Sequence, residues 1–276
     1  MSLPLTGCSF GWMHRAPLET ALETLAAYGF RSVEVTTSPP HLYAPEADAA
    51  ALTATLARLD LALVSVNPSF VDVNLISTNP GVRDASLAQM LAEIDLVAGC
   101  GGRYVVIMPG HRHALAPAPD ARCAELFDDA LAVLLPRARA RGVTLALENS
   151  PYGYLGSSAD MLALVRRWDD PCLAITYDVA NALAIEDPAA GVRAVGEHLA
   201  LAHVSDTWRD RWAHTSPGRG EVDFGAFADA LDAIGFTGPT VYELVDGEPV
   251  EPRLAADLAA LRAAGWDPAL RPWEGA

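Results

Sequence analysis

Eight short apolar runs, each followed by a longer alanine-rich run, predict an α/β fold for this 276-residue chain, a (β/α)8 TIM barrel. The units recur about every 30 residues, the size of one strand-plus-helix repeat. The strand-like runs are apolar on both faces, as in a parallel sheet covered by helices. A doubly wound open sheet is the alternative. It would be favoured by GxGxxG after the first strand, and that motif is absent. No linker, low-complexity tract or composition break divides the chain, so residues 1–276 read as a single domain.

The elements follow in order. Leu5–Phe10 reads as the first strand and Pro17–Tyr28 as a helix stopped by Gly29. Ser32–Thr36 is the second strand, before a helix over Pro45–Leu59. Leu61–Asn67 is the third, before Val82–Ala98 and Gly99. Arg103–Met108 is the fourth, before Asp120–Arg141 and Gly142. Val143–Glu148 is the fifth, and Ser158, a good N-cap, opens a helix to Trp168. Leu173–Asp178 is the sixth, before Pro188–Glu197. Leu199–Val204 is the seventh, followed by a long polar loop and a helix over Phe224–Ile234. Pro239–Glu243 is the eighth, before Pro252–Ala264.

Half the residues are hydrophobic, enough for a large core, and the formal charge is −16. So acidic a chain repels a phosphate backbone, which argues against nucleic acid as a partner. An anionic sugar phosphate would require a local arginine or lysine cluster. No apolar run reaches the roughly 18 residues that span a bilayer. The N-terminus lacks the basic, apolar and small-residue regions of a signal peptide. Cys8, Cys100, Cys123 and Cys172 form no CxxC and read as reduced, buried thiols. A cytoplasmic protein with no membrane partner is expected.

In such a barrel the chemistry lies at the C-terminal ends of the strands. The fifth strand ends in Glu148, the sixth in Asp178, the seventh in His203 and the eighth in Glu243. Any one of these could cap a helix or pair with an arginine. At four consecutive strand ends they converge on one mouth. Three carboxylates crowded there would repel one another and lose hydration, and a divalent cation removes that conflict. Three carboxylates and one imidazole suit Mn²⁺, Mg²⁺, Co²⁺ or Zn²⁺.

The segments LALENS (Leu145–Ser150), YDVAN (Tyr177–Asn181), AHVSD (Ala202–Asp206), HTSPGRGEVDF (His214–Phe224) and VYEL (Val241–Leu244) stand in this order on the predicted strands and loops. GFRSVEV (Gly29–Val35) places Glu34 on the second strand. In these features the whole chain resembles the xylose-isomerase-like TIM barrels. That group includes sugar phosphate isomerases and epimerases, ketose 3-epimerases, inosose dehydratases and the endonuclease IV group. The resemblance implies Glu148, Asp178, His203 and Glu243 as ligands of one divalent metal ion. It also implies proton abstraction beside a metal-bound carbonyl of a ketose or related polyol, through an enediolate, with Glu148 and Glu243 on opposite faces of the substrate. Loss of a β-hydroxyl after the same first step would make the chain a dehydratase of an inosose or similar keto-polyol. A non-catalytic sugar- or metal-binding barrel is the reading of another class. Endonuclease IV chemistry needs further histidines, but Glu34 and Asn67 stand at the second and third strand ends.

Other residues near the mouth are substrate-side candidates. Trp12 packs on a sugar face or seals the barrel end. Glu34 bonds a sugar hydroxyl or is a buried acid paired with an arginine. His111 and His113 follow the fourth strand. By the resemblance, Asp206 and Arg209 correspond to a Glu-x-x-Arg pair that touches substrate. Ketose epimerases carry a histidine three residues after the metal aspartate, where this chain has Asn181. His214 is expected to face substrate or form part of a lid. Such barrels often pair, so a homodimer is compatible with the fold.

Overall fold

The computed structural model describes residues 2–68 and 70–272. The chain alternates strand and helix: β1 (Leu3–Cys8), α1 (Leu18–Ala27), β2 (Ser32–Thr36), α2 (Ala49–Arg58), β3 (Ala62–Asn67) and α3 (Pro80–Gly99). Then come β4 (Tyr104–Ile107), α4 (Asp120–Arg141), β5 (Thr144–Glu148), α5 (Ser158–Trp168) and β6 (Leu173–Asp178). A short helix α6 (Val179–Leu183) precedes α7 (Pro188–Val195), β7 (Leu199–Val204) and a hairpin of β8 (Asp206–Trp208) and β9 (Arg211–Thr215). The chain continues through α8 (Phe224–Ala233), β10 (Thr240–Tyr242), α9 (Glu251–Ala263) and β11 (Trp266–Asp267).

Strands β1 to β7 pair in sequence, β10 pairs with β7, and β1 pairs with β10, all in parallel. That last pairing closes an eight-stranded barrel, as the sequence predicts. β11 adds only at the foot of β1, through Leu3 and Pro4.

Two apolar layers hold the barrel. The larger fills the space between strands and helices. In it Leu22 and Leu25 of α1, Leu131 and Leu134 of α4 and Phe227 of α8 are fully buried. The smaller lies inside the barrel and contains Cys8, Val64, Val106, Ala146, Leu201 and Val241. Side chains alternate along a strand, so the residue two positions beyond an inner-layer residue also faces inward. Ala146 thereby fixes the direction of Glu148, Leu201 that of His203, and Val241 that of Glu243. Burying an apolar side chain contributes about 1.5–3 kcal/mol. The inner layer therefore holds the strand tips rigidly beneath the mouth.

Element ends follow local chemistry. Asp48 caps α2 through the amides of Ala50 and Ala51, so the helix begins at Ala49 and not Pro45. Ser157, not Ser158, caps α5 in a reciprocal box with Asp160. Gly142 ends α4 in the left-handed conformation, φ +67°. All four cysteines are free thiols; Cys8 and Cys123 are buried, whereas Cys100 and Cys172 are partly exposed. Among the described residues no helix is long and apolar enough to cross a membrane.

Candidate active site

Glu148 is the last residue of β5, Asp178 the last of β6, His203 lies one residue before the end of β7, and Glu243 directly follows β10. Asp178 and His203 are register partners across β6 and β7. All four are buried, and one ligand atom from each lies within 4.8 Å of the others. Donors about 2.0–2.2 Å from a shared ion can be no more than about 4.4 Å apart, so only a small contraction would complete a coordination shell. His203 Nδ1 stands 3.3 Å from Glu148 Oε1, 3.4 Å from Glu243 Oε2 and 3.8 Å from Asp178 Oδ2. Glu148 Oε2, Asp178 Oδ2 and both His203 nitrogens are buried without a hydrogen bond. Of these, His203 Nδ1 and Asp178 Oδ2 face each other at 3.8 Å, and orphaned polar atoms so placed are costly unless a cation joins them. The donor set fits a divalent ion.

The titration of these groups reflects the same crowding. Burial, reinforced by Glu243 and Asp178 and only partly offset by His203, pushes the Glu148 carboxyl up to about 8. Burial also raises Asp178. Burial alone would depress His203, but Glu34, Glu243 and Glu148 outweigh it and hold the imidazolium. Burial would raise Glu243, yet His203 and His214 outweigh it and keep that carboxylate ionised. Without a metal, protons carry the compensating charge.

Glu34 lies beneath the centre and not at its surface. It is fully buried, with Oε2 3.3 Å from His203 Nε2, the nitrogen that faces away from the other three carboxylates. Ser65 donates to Glu34 at 2.7 Å and Asn67 at 3.3 Å. Asn67 also donates to Glu243 at 3.0 Å and so links the two acids. No arginine pairs with Glu34 among the described contacts. Cys8, Glu34 and Glu243 form a second convergence of donors. Burial raises the Cys8 thiol well above its usual range, so its sulfur stays protonated.

A cavity of about 250 Å³ opens above the centre. Glu148, Glu243, Asn67, Ser150, Asn181 and His214 form its polar side, while Phe10, Pro68, Phe70, Met108, Trp212 and Val245 form an apolar wall. Asn181 accepts from the Trp212 indole at 2.7 Å and its amide stands 3.4 Å from Glu148 Oε1. His214 Nδ1 lies 3.1 Å from Ser205 Oγ and 3.4 Å from Glu243 Oε2. The structure thus brings Glu148, Asp178, His203, Glu243, Asn181 and His214 together.

Five other candidates lie elsewhere. Trp12 is buried in a tight turn after β1 and donates to Glu251, so it seals the barrel end while Phe10 faces the cavity. Asp206 accepts backbone amides of Thr207, Gly218, Gly220 and Val222 at 2.8–3.0 Å, and so shapes the loop. Arg209 donates to the Leu183 carbonyl at 3.2 Å, outside the cavity wall. His111 packs on the Phe70 ring at 4.6 Å and so supports the wall from behind. His113 is exposed and accepts two amides of its own loop.

Phe10, Phe70, Met108, Ser150, Trp212 and Val245 line the cavity without a signal in the sequence motifs, and Asn67 joins them although it offers no metal ligand. Met108 stands two residues beyond the inner-layer Val106, so strand parity could have found it. Trp212 and His214 alternate on β9, and their rings meet edge to face at 5.5 Å.

A 137-residue stretch is 28% identical to the L-ribulose-5-phosphate 3-epimerase of Salmonella typhi, covering 49% of this chain and 48% of that protein. The chain thus spans about half the length of the curated relatives it matches. A solved D-tagatose 3-epimerase-like protein superposes with a TM-score of 0.84 at 21% identity, over 95% of this chain and 97% of the other. The D-allulose 3-epimerase of Methylomonas sp., solved in complex with D-allulose, gives 0.77 at 21% identity, over 94% and 90%. Likeness at that identity establishes the shared fold. The sequence profile described as the xylose isomerase-like TIM barrel matches residues 22–264. The chain belongs to the xylose isomerase-like TIM barrel family.

Proposed function

We propose that the chain is a divalent-metal-dependent sugar epimerase that inverts a carbon beside the carbonyl of a ketose. One observation carries this reading. Glu148 and Glu243 reach the same cavity from β5 and β10, which are separated in the barrel by β6 and β7, and both border the convergence of His203 and Asp178. Glu148, Asp178, His203 and Glu243 would hold Mn²⁺, Mg²⁺, Co²⁺ or Zn²⁺. When bound, the ion would supply Lewis-acid polarisation of the substrate carbonyl.

The residues of the chain divide the remaining work. One of the two glutamates takes the proton from the carbon beside the carbonyl, and the other, in its protonated form, delivers a different proton to the opposite face. Asn67 holds Glu243 and Asn181 lies beside Glu148, so each carboxylate has a neighbour that limits its swing. The apolar wall keeps bulk water from the carbanionic carbon. The relatives named as 3-epimerases support inversion over transfer of the proton to the neighbouring carbon.

The test is hydrogen exchange in heavy water with the metal-loaded protein. L-Ribulose or D-allulose should exchange the hydrogen at carbon 3 and yield the carbon-3 epimer. Glu148→Gln should abolish exchange, and His203→Ala should weaken metal binding by at least tenfold. Metal binding with no exchange on any ketose would defeat the epimerase reading. Unaltered metal binding in both variants would defeat the site.

A further inference from the structure

We infer that the substrate is an uncharged keto-sugar, carrying neither phosphate nor carboxylate. The inference rests on the epimerase reading and narrows it. The matched curated relatives are named for a phosphorylated ketose, and the structure of this chain argues for a different substrate.

The first observation is the absence of a cation. The chain contains no lysine, and all its arginines lie among the described residues. None of them lines the cavity. Five arginines from loops around the mouth have neighbours of their own. Arg112 pairs with Asp120, and Arg209 is turned to the Leu183 carbonyl. Arg253 grips Asp246, and Arg219 pairs with Glu248 at 2.7 Å. Arg211 lies over the Trp208 ring at 3.5 Å. Arg211 and Arg219 do line a neighbouring groove that shares Trp212, Ala213 and Val245 with the cavity; there Arg219 is paired with Glu248 and Arg211 is stacked on Trp208.

The second observation is independent of side-chain cations. Barrels of this class often bind phosphate on backbone amides of the loops after the seventh and eighth strands. In this chain such a cluster of amides exists after β7, and it is filled from within. The Asp206 carboxylate takes the N–H groups of Thr207, Gly218, Gly220 and Val222. The loop is compact enough that a Cβ on Gly220 would lie 2.2 Å from the Thr207 carbonyl oxygen. An incoming phosphate would have to displace a buried carboxylate from four hydrogen bonds.

The third observation is the sign of the field. Three carboxylates outweigh a divalent ion by one charge, and Glu34 lies directly behind them. An anion entering this cavity meets net repulsion. A neutral sugar meets two compatible surfaces: Asn67, Ser150, Asn181 and His214 for hydroxyls, and Phe10, Phe70 and Trp212 for the C–H face.

The matched pair L-ribulose and L-ribulose 5-phosphate isolates the charge. Binding to the metal-loaded protein is measured by calorimetry, and carbon-3 hydrogen exchange is measured in parallel. The phosphate ester should bind at least tenfold more weakly and show a kcat/KM lower by at least tenfold. Equal or tighter binding of the ester would overturn the inference. So would a fall of tenfold in ester binding upon Arg219→Ala, because that would reveal a phosphate held in the neighbouring groove. If neither sugar exchanges, the epimerase reading fails, while calorimetry still decides the charge preference. Failure of both sugars to bind would defeat the two together.

Discussion

Loading the strand-end centre should expel protons. In the metal-free protein Glu148 titrates near 8 and His203 is held as the imidazolium. At pH 7 a group with that value is about nine-tenths protonated. A cation requires the carboxylate and the neutral imidazole, so binding at pH 7 should release between one and two protons. The sign follows directly. Raising the pH removes those protons beforehand, so apparent affinity rises, by about tenfold per pH unit for each proton released. Both folded-state values lie above their unfolded ones. Their stabilisation is therefore fully present below the unfolded values and is lost as pH rises through the folded ones. The metal-free protein should weaken towards pH 8, where metal stabilises it most. At a free metal concentration 100 times Kd the gain is about 2.7 kcal/mol. For a chain of 276 residues this corresponds to a rise in Tm of about 5 °C. Calorimetric titration in two buffers of different protonation enthalpy counts the protons, and melts at pH 6 and 8 with and without Mn²⁺ give the stability. Proton uptake, or an affinity unchanged from pH 6 to 8, would refute the reasoning.

Three further outcomes are expected. Glu34→Gln removes the acid that faces His203 Nε2, so metal affinity measured by calorimetry should fall about 10–100-fold, with ketose KM unchanged once metal is saturating. Glu93 is fully buried on α3, and burial pushes its carboxyl up to about 8, so wild type loses stability between about pH 4.5 and 8. Glu93→Gln should therefore match wild type at low pH in denaturant melts and exceed it at pH 9 by a few kcal/mol, at most about 5. Equal stability at both pH values would show that Glu93 is ionised in the fold. Gly191→Ala would place a Cβ 1.9 Å from the Tyr177 hydroxyl, which donates to Glu186 at 2.8 Å. The variant should lose about 3 kcal/mol in the same assay, and an unchanged midpoint would mean that α7 yields without cost.

The regular parts of the chain were legible because strand periodicity carries their geometry. The third, sixth and seventh strands end where the apolar runs end, at Asn67, Asp178 and Val204. The first strand did not. Read as Leu5–Phe10, it runs Leu3–Cys8, because Leu3 and Pro4 pair with Trp266 and Asp267, more than 250 residues away. The stretch 206–215 read as a polar loop because charge hides the alternation. Its two-residue turn, Arg209-Asp210, joins β8 and β9 into a hairpin whose Trp212 and His214 wall the cavity.

The same parity separates the candidate residues that reach the cavity from those that turn away. His203 faces inward, and two positions on Ser205 still does, where its hydroxyl meets His214. Asp206 is an odd number of positions from His203 and turns away from the cavity. In sequence it reads as an acid in search of a ligand, because nothing local reveals that four amides spread over 16 residues will fold back upon it. That closure is a long-range event and has no periodic signature. It also has a chemical consequence for the cavity. An acid that satisfies the amides of its own loop makes a substrate anion unnecessary for folding that loop and unwelcome within it. Asp206, a substrate-side candidate by motif, is thus the residue that most sharply narrows what the barrel can hold.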